Sequence, residues 1–331
     1  MRIGRLMLGA ACAGLLWVSV GCGQSQQSAE KGSAKGKHLV VGFSQCGSES
    51  AWRAAETKSI KDEATKRGID LKFSDAQGKQ ELQVGAIKSF IRQKVDAIIL
   101  APKVETGWDS VLQDAKDAGI PVVLVDRGVT VKDDSLYATL ICSDFVAEGR
   151  IAAQKLMEQV DKIVPKSSGR VRVVYELLGS TGAAPAIDRA KGFHDVIDAD
   201  RSFKVTSQNG DFNRNTGKQV MEAMLKTGIP DAVYAHNDDM AIGAIQAIKE
   251  AGKKPGKEIV VVSIDGIKDA LQALIDGDNN AVIECNPLLG PAAFDAVQTI
   301  VSGGKVDKKT VVKDSVFDAD RAKKEISSRA Y

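Results

Sequence analysis

The chain has 331 residues, of which 44% are hydrophobic and 27% are charged, as in an ordinary folded globular protein. Its 45 basic and 43 acidic residues leave a formal charge of +2, and Arg2 and Arg5 alone account for that excess. The nearly neutral body argues against a broad nucleic-acid-binding surface, and the length suggests about two domains.

Residues 1–22 have the composition of a secretory targeting segment. The two arginines precede an apolar run at 6–20, which has the length of a secretory signal and is short for a membrane span. Cys22 ends the segment as in a bacterial lipobox, although Ser19 stands where a lipobox usually has Leu. Two alternatives remain open: Cys22 is lipidated, or the signal is an ordinary cleaved one and its cysteine is incidental.

Residues 23–37 are rich in Gly, Ser, Gln and Lys and contain no apolar residue larger than Ala. Such a segment cannot bury enough apolar surface to order itself. We therefore expect a flexible tether between the targeting segment and the folded body.

The cysteines of the body indicate neither a disulfide framework nor a zinc site. Three of the five cysteines lie there, at wide spacing and without a Cys-x-x-Cys motif: Cys46, Cys142 and Cys285. We expect three buried free thiols, and neither a cofactor nor a metal ion.

From residue 38 onward, short β-branched strands alternate with amphipathic helices. The predicted strands are at 38–44, 69–75, 95–102 and 121–126, and then at 170–177, 203–209, 231–237, 258–266 and 279–286. The predicted helices are at 51–68, 79–94 and 107–119, and then at 145–160, 186–198, 215–228, 239–252 and 289–303. This alternation indicates βαβ units on a parallel sheet covered on both faces. Because it runs twice, we predict an α/β protein with two similar doubly wound parallel-sheet lobes.

Polar and aromatic residues follow the predicted strands, as at Asp126, Arg127, Asn237 and Asp265. Ligands of open parallel sheets bind at the carboxyl ends of the strands. Carboxylates and amides accept hydrogen bonds from hydroxyl groups, Arg donates them, and an aromatic face covers the C–H face of a sugar ring. The pattern therefore predicts a site for a polyol.

Several segments in order resemble those that line the sugar cleft of the periplasmic sugar-binding proteins of the ribose and galactose class. They are PVVLVDRGV (121–129), AIDRAKGF (186–193), DFNRNTG (211–217), AHNDDMAIGAIQAI (235–248) and VVSIDG (261–266). The resemblance runs from about residue 39 to the C terminus. The combination of FSQCGSESAWRAAE (43–56), DRG (126–128) and YAHNDDMAIGAIQAIKEAG (234–252) is most similar to the galactofuranose-binding members. Ribose-binding members tend to carry two aromatics where this chain has Trp52 and Arg53.

The resemblance implies the type I architecture of that class, with two lobes joined by a hinge that the chain crosses several times. The N-terminal lobe would comprise residues 38–143 and 287–313. The C-terminal lobe would comprise residues 144–286 and 314–331.

The resemblance also implies a set of sugar-contacting residues: Glu49, Ser50, Trp52, Arg53, Asp126, Arg127, Arg189, Phe212, Asn237, Asp265 and Asn286. Asp126 and Arg127 would hold adjacent hydroxyl groups, Trp52 would stack on the ring, and Phe212 would face it from the other lobe. Asn286 is a candidate only, because the chain departs there from the Gln of the ribose class. Each residue also has a structural alternative, such as a helix cap for Asn237.

The residues favour binding over catalysis. The chain contains no HExxH, GxxxxGK[ST] or GxSxG motif. Glu49 and Asp126 could be a glycoside hydrolase pair, but hydrolysis needs one protonated carboxyl group, and Arg53 and Arg127 would keep both ionised. A sugar-responsive repressor of the same fold would begin with a helix-turn-helix instead of an export signal.

The resemblance thus implies a receptor of an ABC importer that is not an enzyme. It would capture a monosaccharide, galactofuranose or a related hexose or pentose, by hinge closure and deliver it to a membrane permease. We expect a monomer in the periplasm or on the outer face of the membrane, with or without a lipid anchor, and no nucleic-acid partner. A sugar-sensing partner of a chemoreceptor is the alternative.

Overall fold

A computed structural model describes residues 38–331, whose strands form two six-stranded sheets. The predicted signal at 1–22, the tether at 23–37 and the lipidation of Cys22 lie outside the described residues.

The first sheet is entirely parallel and is covered on both faces. Its strands are β1 Val40–Gln45, β2 Asp70–Asp75, β3 Ala97–Leu100, β4 Val122–Val125, β5 Thr139–Cys142 and β11 Lys309–Val311, in the spatial order β11-β5-β4-β3-β1-β2. Its helices are α1 Ala51–Lys66, α2 Gln80–Gln93, α3 Asp109–Asp117 and α9 Gly290–Val301. Alternate residues of β3 face opposite cores: Ile99 packs with α1 and α9, and Ile98 packs with α2 and α3.

The second sheet repeats this arrangement with one exception. Its strands are β6 Arg172–Leu178, β7 Phe203–Asn209, β8 Ala232–Ala235, β9 Val260–Asp265, β10 Ala281–Glu284 and β12 Val316–Phe317, in the order β12-β10-β9-β8-β6-β7. Its helices are α4 Phe145–Ile163, α5 Ala184–Ile197, α6 Arg214–Leu225, α7 Asp238–Glu250, α8 Lys268–Asp276 and α10 Ala319–Glu325. The edge strand β12 pairs antiparallel to β10, whereas the other pairings are parallel.

The predicted α/β fold of two doubly wound sheets is confirmed. The sequence prediction omitted β5, β11, β12, α8 and α10. These elements are short, from two to nine residues, so hydrophobic periodicity has too few positions to reveal them.

Helices α4 and α5 are packed unusually closely. A Cβ atom at Gly149 would lie 2.2 Å from the carbonyl oxygen of Arg189, and one at Gly192 would lie 2.0 Å from that of Val146. Glycine is therefore required on both sides of this contact, and the contact fixes α5 and its Arg189 relative to α4.

Three segments connect the two sheets, at residues 143–144, 285–289 and 312–315. Asp314 lies where they meet, since its carboxylate accepts the backbone N–H of Asn286 at 3.2 Å and a hydrogen bond from the Ser143 hydroxyl. The thiol of Cys285 also lies 3.5 Å from the Ser143 hydroxyl oxygen. Whether the two halves move as separate lobes stays a prediction.

The pH dependence of stability should report on this junction. Burial, reinforced by the nearby Glu148 carboxylate, raises the pKa of Asp314 from 3.8 to about 7. A carboxyl group whose pKa is higher in the folded state gives its full stabilisation below its unfolded pKa and loses it as the pH rises through the folded pKa. As the pH rises from about 4 to about 8, the parent should lose this contribution and Asp314→Asn should not. The free energy of unfolding of Asp314→Asn should therefore increase relative to that of the parent over this range.

Urea unfolding across this pH range measures the difference. Asp320→Asn, which changes an exposed carboxylate in α10, should follow the parent at every pH. A constant difference between Asp314→Asn and the parent would show that Asp314 does not titrate in this way.

Candidate functional site

A polar cavity lies between the carboxyl ends of the two sheets. Its lining residues are Glu49, Ser50, Trp52, Arg53, Asp126, Arg127, Pro185, Arg189, Phe212, Asn237, Asp265 and Cys285. The structure thus brings together all the residues predicted to contact a sugar except Asn286. The side chain of Asn286 instead accepts the backbone N–H of Leu288 at 2.9 Å, and Cys285 takes the place at the cavity.

Arg53 lies among three carboxylates of the first half. Its guanidinium group donates to Asp126 at 2.6 Å, to Glu56, and to Glu49 at 3.4 Å. Helix α1 presents Arg53 to the cavity because Ser50 caps the helix, accepting the Arg53 backbone N–H at 3.1 Å. The backbone of Asp126 has a φ of 60°, a left-handed conformation that Asp tolerates better than most residues.

Arg127 lies on the same wall of the cavity as Arg53 and also pairs with Glu49. It donates to Glu49 at 3.1 Å and to the carbonyl oxygen of Lys103 at 3.2 Å. Its guanidinium carbon lies 5.5 Å from the ring centre of Phe212, which comes from the other half of the molecule. A cation–π contact therefore links the two walls of the cavity.

Arg189 has the corresponding position in the second half. It donates to Glu148 at 2.7 Å and to the carbonyl oxygen of His236 at 2.6 Å, and it lies 3.8 Å from the Asp265 carboxylate. Asp265 is the last residue of the buried strand β9 and, like Asp126, has a positive φ, in this case 138°. Backbone strain of this kind is typical of ligand-binding positions.

The two halves therefore present the same arrangement, in which an Arg lies between a cavity Asp and a Glu deeper in the protein. Asp126, Arg53 and Glu56 form one such set, and Asp265, Arg189 and Glu148 form the other. In each Glu the second carboxylate oxygen is buried and has no hydrogen-bond partner among the described residues.

The carboxyl groups of the cavity differ in their titration. Burial would raise the pKa of Glu49, but Arg53 and Arg127 outweigh it and lower this pKa to about 2, as the expectation of an ionised Glu49 requires. Burial dominates elsewhere and raises the pKa values of Glu56 and Glu148, and it holds the pKa of Asp265 well above its usual range although Arg189 opposes it. The carboxyl groups of one site thus have pKa values shifted in opposite directions, down for Glu49 and up for Glu56, Glu148 and Asp265.

Trp52 both borders the cavity and packs in the hydrophobic core of the second half. Only 5% of it is exposed, and it packs in the cluster that contains Phe145 and Cys142. Its indole N–H donates to the carbonyl oxygen of Cys285 at 2.6 Å. Trp52 therefore anchors α1 to a segment that connects the sheets, a role that sequence reasoning did not include.

Asn237 caps a helix and also borders the cavity. Its side-chain oxygen accepts the Met240 backbone N–H at 3.0 Å, at the start of α7, and its amide group donates to the Phe212 carbonyl oxygen at 3.1 Å. The structural alternative therefore holds for Asn237, and the cap also fixes Phe212 in place.

Hydrogen bonds also join the two halves directly. In one group the backbone N–H of Ala51 donates to Asp239 at 2.7 Å. In the other, the backbone N–H of Glu105 donates to the Gly182 carbonyl oxygen at 2.9 Å, and Lys103 donates to Ser180 at 3.1 Å. The halves are thus in direct contact through two separate groups of residues.

Comparison with known proteins identifies the family to which this architecture belongs. Residues 41–305 match the sequence profile of the periplasmic binding protein domain. The chain belongs to the periplasmic binding protein family.

Its relatives include proteins named for sugars. The galactofuranose-binding protein YtfQ of Escherichia coli strain K12 is 49% identical over 297 residues, which are 88% of this chain and 91% of the relative. A Mycobacterium smegmatis structure in complex with β-D-fucofuranose is 48% identical, with a TM-score of 0.84 over 87% of this chain and 94% of that one. The binding component of the arabinose ABC transporter from Shewanella sp. ANA-3, bound to α- and β-L-arabinofuranose, is 50% identical, with a TM-score of 0.82 over 88% and 96%. The resemblance to galactofuranose-binding members is confirmed.

Sequence reasoning missed the two deeper carboxyl groups of this periplasmic binding protein. Glu56 follows Arg53 by three residues on α1, a spacing that places both on one helix face and could have revealed the pair. Glu148 is distant from Arg189 in sequence, and only the packing of α4 on α5 joins them.

The cysteine prediction agrees with the structure, and a buried histidine lies near the cavity. His236 is buried behind the cavity, where its imidazole pairs with Glu176 at 3.0 Å. Cys46, Cys142 and Cys285 are free and buried, and burial raises the pKa of Cys46 to about 11 and that of Cys142 to about 12. These thiols therefore resist ionisation at neutral pH.

No helix among residues 38–331 has both the length and the apolar character needed to span a membrane. The same residues contain no cluster of three or more His, Cys, Asp or Glu side chains arranged to hold a metal ion.

Removing Arg189 should destabilise the fold strongly. Arg189→Ala leaves Glu148 and Asp265 buried without their counter-charge, and breaking a buried ion pair costs about 3–5 kcal/mol. Urea unfolding at neutral pH measures this loss. The deficit should shrink as the pH is lowered, because burial raises the pKa values of both carboxyl groups and protonation then removes their charges.

Lys191→Ala provides the matched control, since it removes an exposed cation from the same helix. It should change the free energy of unfolding by less than about 1 kcal/mol. Equal losses in the two variants would contradict a buried role for Arg189.

Proposed function

We propose that this protein captures a furanose sugar in the cavity between its two sheets and delivers it, chemically unchanged, to the permease of an ABC importer. The observation that carries the proposal is the polar cavity itself, to which each half contributes an Asp–Arg pair. Its support from outside the structure is the resemblance, at about half of all positions, to relatives named for furanose sugars.

The sugars in the names and titles of the relatives have one furanose ring configuration in common. D-Fucose is the 6-deoxy form of D-galactose, and L-arabinose has the D-galactose configuration at its C2, C3 and C4 atoms. Galactofuranose, D-fucofuranose and L-arabinofuranose therefore share their ring stereochemistry and differ only in the exocyclic group. We propose that this chain binds the same ring, and that its tolerance of the exocyclic group decides which of these sugars it carries.

The cavity suits such a ring. Asp126 and Asp265 offer carboxyl groups from opposite walls, and Arg127 offers donors to hydroxyl groups. Trp52 and Phe212 would supply apolar surface for the C–H faces, which are the roles that the resemblance implies for them. A neutral carboxyl group, which the raised pKa of Asp265 favours, can donate a hydrogen bond as well as accept one.

Binding would occur by closure of the two lobes around the sugar, with the segments at 143–144, 285–289 and 312–315 as the hinge. The proposed lobes are residues 38–143 with 287–313, and residues 144–286 with 314–331. The closed form would present a surface of both lobes to the permease. We propose that the protein acts as a monomer outside the cytoplasm, held at the membrane if Cys22 carries lipid.

One observation favours the competing hydrolase function. Glu49 is ionised while burial favours a neutral Asp265, and glycoside hydrolases use a carboxyl pair in those two states. The named relatives, however, are binding proteins, and both carboxyl groups are paired with arginines. We therefore propose binding without turnover.

The function is tested with the purified mature protein. Mass spectrometry should identify a sugar released on unfolding, and calorimetry should show stoichiometric binding of D-galactose, D-fucose or L-arabinose. NMR with ¹³C-labelled sugar should show the bound furanose ring and no new sugar species over time. Pyranose binding would refute the ring assignment, and product formation from a furanoside would refute binding without turnover.

Two substitutions should separate polar from apolar recognition. Trp52→Ala removes apolar surface worth about 1–3 kcal/mol, so affinity should fall by about tenfold to a hundredfold for all sugars alike. Asp126→Ala leaves a ligand hydroxyl group and the Nη2 donor of Arg53 without a partner, each at a cost of about 1–3 kcal/mol or more. Asp126→Ala should therefore be the weaker binder and should lose discrimination between epimers.

Calorimetry of both variants against a panel of epimers decides between these effects. Asp117→Ala, which removes an exposed carboxylate at the end of α3, is the control and should bind as the parent does. Because Trp52 also packs in a core, circular dichroism must first show that each variant is folded. If folded Asp126→Ala binds sugars as tightly as the parent does, Asp126 is a structural turn residue and does not contact the sugar.

A further inference from the structure

A carboxylate of the second half binds the first turn of α1. The backbone N–H of Ala51, the first residue of α1, donates to the Asp239 carboxylate at 2.7 Å. Such an N–H has no partner within its own helix, and a negative charge at a helix N terminus is favourable. This hydrogen bond spans 188 positions of sequence and joins the two halves.

Asp239 is held on its own side by a separate contact. Arg214 donates to its other carboxylate oxygen at 2.9 Å, and Arg214 also pairs with Asp269 at 2.8 Å. Both partners of Arg214 belong to the second half. The carboxylate therefore stays oriented and charge-balanced whether or not α1 is near, and only its bond to Ala51 depends on contact between the halves.

The first turn of α1 carries cavity residues on either side of Ala51. Ser50, Trp52 and Arg53 all line the cavity, and Arg53 holds Asp126. A bond that fixes the backbone at Ala51 therefore fixes three cavity side chains relative to the second half. Asp239 itself is not among the residues that line the cavity.

We infer that Asp239 is a positioning residue that sets how long the sugar stays bound, by holding α1 against the second half. This inference rests on the proposed function. The bond forms only while the halves are in contact, and in the sugar-free protein it forms whenever they meet. During capture this contact is completed after the sugar has entered, so loss of the bond should not change the association rate. The dissociation rate should rise, because reopening no longer breaks a charge-assisted hydrogen bond.

Stopped-flow tryptophan fluorescence with L-arabinose or D-galactose measures both rates. Asp239→Ala should raise the dissociation rate about tenfold or more and leave the association rate within about twofold. Asp239→Asn keeps a neutral acceptor of the same shape and should show a smaller rise. Asp269→Asn is the matched control, because it removes the other partner of Arg214 without touching α1, and its rates should equal those of the parent.

Two outcomes would overturn the inference: parent-like dissociation in both Asp239 variants, or an equal rise in Asp269→Asn. A fall in the association rate alone would also overturn it, since that indicates a general loss of structure. Thermal unfolding shows whether the variants are folded. If Asp239→Ala is unfolded, the dissociation rate of Asp239→Asn decides the test.

A measurement without sugar separates this inference from the proposed function. Hydrogen exchange at residues 50–53 should be faster in Asp239→Ala than in the parent and in Asp269→Asn. If the parent binds none of the three sugars, the proposed function fails and exchange alone decides the role of Asp239. Equal exchange in the three proteins would then refute it.

Discussion

The pairing of buried arginines with carboxyl groups is the constraint on which the site depends. Removing a guanidinium group and its partners from water is costly, and the attraction between them repays this only with close geometry. Arg53 and Arg189 are each about 2–3% exposed and are bonded on several sides, so the protein holds them rigidly at the cavity wall. A hydroxylated ligand then meets donors and acceptors that are already oriented, and loses little free energy in ordering them.

The scaffold supplies this geometry through features remote from the ligand. Strand ends place Asp126 and Asp265 at positive φ, and the glycine contact between α4 and α5 brings Glu148 under Arg189. Trp52 joins α1 to the connecting segment through Cys285. The cavity residues therefore depend on contacts between elements that are far apart in sequence, and each half alone would present only one wall of the site.

Sequence reasoning predicted the fold from regular patterns, and it predicted most of the cavity residues from the resemblance to the sugar-binding proteins of the ribose and galactose class. Alternating strands and helices repeat over enough residues to be recognised, and ligand-facing residues of such sheets follow the strands. It failed where tertiary packing decides. Asn286 turns to cap its own segment while Cys285 faces the cavity, and nothing in the local sequence distinguishes these neighbours. The neutral tendency of Asp265 likewise arises from its burial, which the residues around it in sequence do not reveal.

The threefold crossing of the chain also bears on how the protein folds during synthesis. The last strands, Lys309–Val311 and Val316–Phe317, each complete the edge of a different sheet, and α9 packs on α1 more than 200 positions earlier. Neither sheet can be finished until the ribosome has released almost the whole chain. Contacts of such long range slow folding, so the nascent polypeptide remains incomplete while it is being made. For the proposed location outside the cytoplasm, which the chain would reach by crossing a membrane, this delay would be an advantage.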